Sequence, residues 1–262
     1  MKKTLLQTLA FTLINFVVLA QEGGGSKTTV TDSTIQSEAP FSVSVESAFT
    51  NSYLWRGIQF NKGLILQPAV TMEYKGFSLN IWNSTSILET NENETIQELD
   101  FTLLKSIEAG NFYFEPTLLL YTYPTKNSLT ATAEASLYAA YFKGSFGVFM
   151  NPATDILSNA GGAFSEVGFT FDNETEYAHS VLNLAYGAGN KKFSEYNITV
   201  DEPGLVNSSY KLIDLNGYFQ KSLSETIYLK PSFSFFHILG SDFTNFLSTN
   251  QLNLAISIGA EF

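Results

Sequence analysis

Nine carboxylates fall on the polar phase of alternating segments: Glu46, Glu73, Glu98, Asp100, Glu115, Glu134, Glu166, Asp214 and Glu261. Only Arg56 and Lys230 oppose them on that phase. Carboxylates gathered along one surface concentrate cations and oppose anions. The same phase carries Trp82, Tyr113, Tyr121, Tyr123, Tyr138, Phe149, Tyr218, Tyr228 and Phe236, rings on which a sugar or other flat-faced solute could stack. Two readings weigh equally. One is an acidic passage for small cationic or neutral polar solutes. The other is a filled interior, in which the acids pair with Arg56, Lys230, tyrosine hydroxyls or one another. Arg56 lies at the same end of the pattern as Glu98, Asp100 and Glu166, where it is expected to hold carboxylates in a fork.

Enzymatic chemistry has less to work with. Hydrolysis needs a nucleophile or an activated water beside an oriented base. The two histidines, His179 and His237, fall at opposite ends of their segments and cannot share a site. His179 and Ser180 are neighbours, so on a strand they point to opposite faces. The acidic clusters at 89–94 and 172–176 lack the spacing of a calcium loop. There is no cysteine for a thiolate metal site, and no glycine-rich phosphate cradle. No catalytic, cofactor or metal residue is expected, and a channel is preferred to an enzyme.

The elements that must hold the acids are strands. Period-two alternation marks twelve of them: 41–56, 65–74, 77–86, 96–107, 112–123, 129–141, 146–151, 164–171, 177–187, 210–220, 227–237 and 251–262. In the first, Phe41, Val43, Val45, Phe49, Tyr53 and Trp55 take the apolar phase. Ser42, Ser44, Glu46, Thr50, Ser52 and Arg56 take the other. Most segments reach about ten residues, the length of a tilted membrane strand and longer than the usual strand of a soluble sheet. Pro68, Pro116 and Pro231 cannot donate to a ladder, so each must sit at a bulge or a locally open pair.

The connections alternate. Short ones lie at 75–76, 108–111, 142–145, 172–176 and 221–226. Long ones lie at 57–64, 87–95, 124–128, 152–163, 188–209 and 238–250. With both chain ends of the barrel on the short-turn side, the strand count must be even. Twelve fits, and ten or fourteen are the neighbouring choices. Beside the short turns, in the apolar phase, stand Phe41, Tyr74, Phe77, Phe112, Tyr141, Phe146, Phe171, Phe219 and Phe262. Aromatics collected at one height form a girdle at a membrane interface, whereas a soluble sandwich would scatter them along its strands. An aromatic content of 15% agrees with this.

Residues 1–20 read as a removed signal peptide, with Lys2 and Lys3 ahead of an apolar run and a small-residue end at Ala20. Its loss takes the net charge from −11 to −13, which argues against nucleic acid as a partner. Residues 21–40 are polar and glycine-rich, a flexible tail. The barrel then occupies 41–262.

The last segment alternates Leu252, Leu254, Ile256, Ile258, Ala260 and Phe262 with small or polar residues. It resembles the closing strand of a bacterial outer-membrane barrel, in which a terminal aromatic such as Phe262 is the signal read by the assembly machinery. Tyr53-Leu54-Trp55-Arg56-Gly57, Gln67-Pro68, Lys75-Gly76-Phe77-Ser78-Leu79 with Trp82, Glu98-Leu99-Asp100-Phe101-Thr102 and Tyr121-Thr122-Tyr123-Pro124 resemble a family of outer-membrane barrels of the TorF type. These matches cover about the first half of the barrel. The resemblance implies an exported porin-like barrel in the outer membrane of a Gram-negative bacterium, in contact with its lipid, and brings no catalytic residues. The expectation is therefore an all-β, up-and-down antiparallel transmembrane barrel. Glu46, Arg56, Glu73, Trp82, Glu98, Asp100, Glu115, Tyr121, Glu134, Glu166, Asp214 and Lys230 are its candidate lumen-lining residues. Its function is the passage of small polar solutes or, failing that, a non-conducting structural or surface-contact role.

Overall fold

A computed structural model describes residues 41–88, 97–125, 129–199 and 209–262. The expected signal peptide, the tail at 21–40 and the acidic run at 89–94 lie outside the described residues, as do 126–128 and 200–208. The strands are β1 (Ser42–Trp55), β2 (Ile58–Tyr74), β3 (Phe77–Ser86), β4 (Glu98–Lys105), β5 (Ile107–Ala109), β6 (Phe112–Thr122), β7 (Thr132–Lys143), β8 (Phe146–Asp155), β9 (Ala163–Glu174), β10 (Ala178–Gly189), β11 (Tyr210–Ser222), β12 (Ile227–Ile238) and β13 (Asn250–Glu261). A short helix, α1 (Lys191–Asn197), follows β10, and a 3₁₀ turn (Ser241–Phe243) follows β12.

Apart from β4 and β5, successive strands pair antiparallel, and β1 pairs with β13 to close the sheet. β4 and β5 meet β6 in a single register, Leu104 opposite Thr117 and Ile107 opposite Phe114. They are two pieces of one strand, so the barrel has twelve. The break falls where Pro116 lacks the N–H its partner needs. Pro68 and Pro231 act alike: the β2–β3 ladder is interrupted between Leu66 and Ala69, and the β11–β12 ladder between Tyr218 and Lys221. All three prolines thus occupy locally open pairs.

Alternation sorts the side chains. On β13, Leu252, Leu254, Ile256 and Ile258 are exposed while Gln251, Ser257 and Gly259 are buried. On β8 and β9, Val148, Met150, Val167 and Phe169 face out. The aromatics beside the short turns also face out, from Phe41 to Phe262, with only Phe171 partly covered. Two cross-strand pairs among them are in ring contact, Phe112 edge-on to Tyr141 and Phe146 tilted against Phe171, each at 5.1 Å.

The first hairpin departs from expectation. The long connection anticipated at 57–64 is instead a two-residue turn, Arg56-Gly57, and β2 begins at Ile58. Both turn residues have positive φ, 50° and 71°, the requirement of a tight hairpin turn that matches the strand twist. Tyr53 and Trp55, expected to face outward, are buried. The β1–β2 register shifts between Thr50 and Ser52 and again between Tyr53 and Leu54, and a bulge of this kind re-aims the side chains beyond it. Likewise the loop expected at 152–163 is shorter, because β8 runs on to Asp155.

Candidate functional site

The tip of the β1–β2 hairpin lies inside the barrel mouth. Residues 52–58 are buried without alternation, so both faces of the tip are covered. Arg56 reaches from this turn to β7, where Nη1 and Nη2 donate to the two Glu134 oxygens at 2.7 and 2.8 Å. Between β1 and β7 stand four strands of the closed sheet on one side and six on the other. The fork therefore spans the interior. The guanidinium also lies 4.6 Å from the Trp55 ring centre and 4.7 Å from that of Phe164. The Tyr210 hydroxyl donates to the Arg56 carbonyl at 2.9 Å, and the Gln251 amide donates to the Gly57 carbonyl.

Two loops fold down on this tip. Asn190 caps α1, its side-chain oxygen accepting from the Phe193 N–H at 2.8 Å, while its amide donates to the Gly161 carbonyl. This turns Phe193 inward, 5.7 Å from Trp55 and 5.2 Å from Phe164. Gly189 is required there, since a Cβ would overlap the Phe193 ring. From the other loop, Phe243 packs edge-on to Tyr210 at 5.2 Å. Together with Tyr53, Trp82, Tyr121 and Phe236 these rings make one buried cluster across the mouth.

Beside the cluster is a recess of about 30 Å³, walled by Trp55, Phe60, Tyr121, Tyr123, Phe193 and Tyr196 and floored by Glu98, Glu134 and Asp155. Asp155 is engaged by the Thr132 hydroxyl at 2.5 Å and by the Leu157 and Asn159 N–H groups at 2.9 Å. Burial, then the charges of Glu98 and Asp100, push the Tyr123 phenol well up. Burial and Asp155 also raise the Tyr196 phenol. Both rings therefore present neutral hydroxyls.

A second polar cluster occupies the short-turn end. Lys230 Nζ lies 2.5 Å from a Glu46 oxygen, a charge contact without hydrogen-bond alignment, and Tyr228 donates to that same oxygen at 2.6 Å. His179 Nε2 meets Asp172 at 2.7 Å, with the Tyr218 hydroxyl 3.4 Å from Nδ1.

The twelve residues singled out by phase, Glu46, Arg56, Glu73, Trp82, Glu98, Asp100, Glu115, Tyr121, Glu134, Glu166, Asp214 and Lys230, are all buried. The fold brings Arg56 to Glu134, Lys230 to Glu46, and Trp82 to Tyr53 at 5.5 Å. Glu115 accepts from Tyr113 at 2.6 Å, and Asp214 from Asn216 at 2.7 Å. Phase alone missed Tyr53, Trp55, Phe193 and Phe243. The signal for Phe193 was present: an asparagine three residues earlier is a helix N-cap pattern.

No curated protein matches the chain in sequence. Among solved structures the fold is similar to the NanC porin, at 9% identity over 84% of this chain and 98% of that one, with a TM-score of 0.50. It is also similar to an outer membrane channel from Pseudomonas putida F1 (9% identity, 87% and 100% covered, TM-score 0.44). A third is the translocator domain of the autotransporter NalP from Neisseria meningitidis (9% identity, 95% and 92% covered, TM-score 0.47). The TorF-type name suggested by the motifs has no counterpart in these comparisons. Residues 34–207, well over half the chain, match the family Gcw_chp, described as bacterial proteins of unknown function, and to that family the chain belongs.

Proposed function

We propose that the protein sits in the outer membrane of a Gram-negative bacterium as a narrow channel with an acidic interior, passing small cationic or neutral polar solutes. The porin-like fold supports the class. The observation that carries the reading is the state of the interior. Polar atoms of Asn183, Asp214, Gln220 and Ser257 are buried with no protein partner among the described residues. Buried polar groups are hydrogen-bonded in folded proteins, so water or solute must supply these bonds. A hydrated core lined by acids, against the buried cations Arg56 and Lys230, prefers cations. The mature protein refolded into a planar bilayer under a salt gradient is expected to conduct with cation preference. Replacing Glu98→Gln, Asp100→Asn and Glu166→Gln together should lower that preference; unchanged selectivity would sink the acidic-filter idea.

A second reading, a non-conducting structural or surface-contact barrel, is favoured by one feature, the hairpin tip and Phe193 across the mouth. A folded barrel that stays silent after those groups are trimmed would establish it.

A further inference from the structure

We infer that a partly hydrated divalent cation of the calcium class binds on the inner wall of the barrel, between Glu166 of β9 and Asp214 of β11. This deepens the channel reading and rests on it for the ion's onward path, although binding itself does not require conduction. Strand β10 runs between the two carboxylates. It sets Gly187 opposite Glu166 and Ala185 opposite Asp214, so it puts no side chain larger than a methyl group between them. Glu166 is 3% exposed and makes no hydrogen bond or ion pair among the described residues, yet its charge acts on that of Asp214. Asp214 is 1% exposed; its Oδ2 accepts from the Asn216 amide at 2.7 Å, and its Oδ1 has no partner among the described residues. Arg56, whose charge also reaches Glu166, is committed to Glu134 through both terminal nitrogens. Two neighbouring carboxylates oppose each other's ionisation, and a cation between them relieves this.

A third oxygen points to a cation independently. An ionised carboxylate only accepts, so Asp214 fixes the orientation of the two amides beside it. Asn216 turns its N–H toward Asp214 and its oxygen toward Asn183, whose amide donates to it at 2.9 Å. That relay leaves the Asn183 oxygen over: it has no partner among the described residues, on a side chain 2% exposed. Asn183 stands opposite Asn216, so it flanks Asp214 on the short-turn side, as Glu166 flanks it on the loop side. The free groups are all oxygens and all acceptors. Such a set takes a hard cation in preference to a metal that seeks thiolate or imidazole, and two carboxylate charges match a divalent ion. Among the described residues no three acidic or histidine side chains gather at one point. The ion therefore rests on Asp214 Oδ1, keeps water for much of its shell, and meets Glu166 and Asn183 directly or through that water. Few charged ligands make a weak, exchanging site, with a Kd of about 10⁻⁴–10⁻³ M.

The test is calorimetric titration of the mature protein, refolded in a nonionic detergent, with calcium chloride against a sodium chloride background. The expected result is one saturable site, weakened at least about tenfold in Asp214→Asn. This substitution keeps the hydrogen bond to Asn216 within reach and removes the charge. No saturable binding, or binding unaltered by Asp214→Asn, overturns the inference; the second result would assign the calcium to acids of the loops. If Asp214→Asn gives no heat-modifiable folded band, Glu166→Gln takes its place, with the same expectation and the same refutation. Calcium binding without bilayer conductance would overturn the channel reading and leave this site standing; conductance without calcium binding would do the reverse.

Discussion

Arg56 and Glu134 lie 78 positions apart and are joined by two parallel hydrogen bonds across the interior of the barrel. The pair ties a hairpin tip to a strand far from it in the sheet. Removing one partner of a buried pair leaves an uncompensated charge, which typically costs about 3–5 kcal/mol. Arg56→Ala should therefore lower unfolding stability in lipid vesicles by that order, and Arg56→Ala with Glu134→Gln by clearly less. Equal losses in the single and double variants would show that the fork's charge balance is not what matters.

Phe193 tests the mouth. Its ring is set by the Asn190 cap and the space at Gly189, and it lies on a loop helix rather than in a barrel ladder. Phe193→Ala should raise single-channel conductance while heat-modifiable mobility, a readout of the closed barrel, stays as in the parent. Conductance equal to the parent's would mean that the hairpin tip alone sets the narrowest point.

Much of this architecture is legible in the sequence, for a physical reason. A strand between lipid and lumen needs opposite chemistry on its two faces, so period two survives in β3, β8 and β13 almost residue for residue. The prolines could be assigned to open pairs because the missing N–H is a property of the residue. What could not be read was the stretch at 52–58, where two bulges shift the phase and the tip is covered on both sides. Once both faces of a strand are buried, alternation carries no information about direction, and Tyr53 and Trp55 look like any outward aromatic. A fork at Arg56 was legible, but its partner was not: the guanidinium holds Glu134 rather than Glu98, Asp100 or Glu166, for a related cause. Phase gives the face of each residue but not which strand the turn will lean toward.

The outward face makes its own prediction. Leu254 is 52% exposed in the middle of β13, opposite Phe233 of β12. An arginine on the lipid face near the bilayer midplane costs about 2–4 kcal/mol. Leu254→Arg should therefore destabilise the barrel by that amount in vesicle unfolding. Glu225→Arg, in the turn between β11 and β12, should change stability by less than about 0.5 kcal/mol. Similar effects from both substitutions would argue against lipid on that face.

Phe262 joins two roles at one position. Its N–H donates to the Val43 carbonyl at 2.9 Å, and its carbonyl accepts from the Val43 N–H at 3.2 Å, which completes the seam between β1 and β13. Its ring makes no part of the interior; it is 75% exposed. Deleting Phe262 removes both the bonds and the ring, whereas Phe262→Ser keeps the bonds and removes only the ring. If the aromatic ring is what the assembly machinery reads, both variants should reduce folded barrel in the outer-membrane fraction several-fold. The purified Phe262→Ser protein should nonetheless refold in detergent as well as the parent. If Phe262→Ser assembles normally in cells and only the deletion fails, the seam's hydrogen bonds are the requirement and the ring is a girdle residue like Phe41.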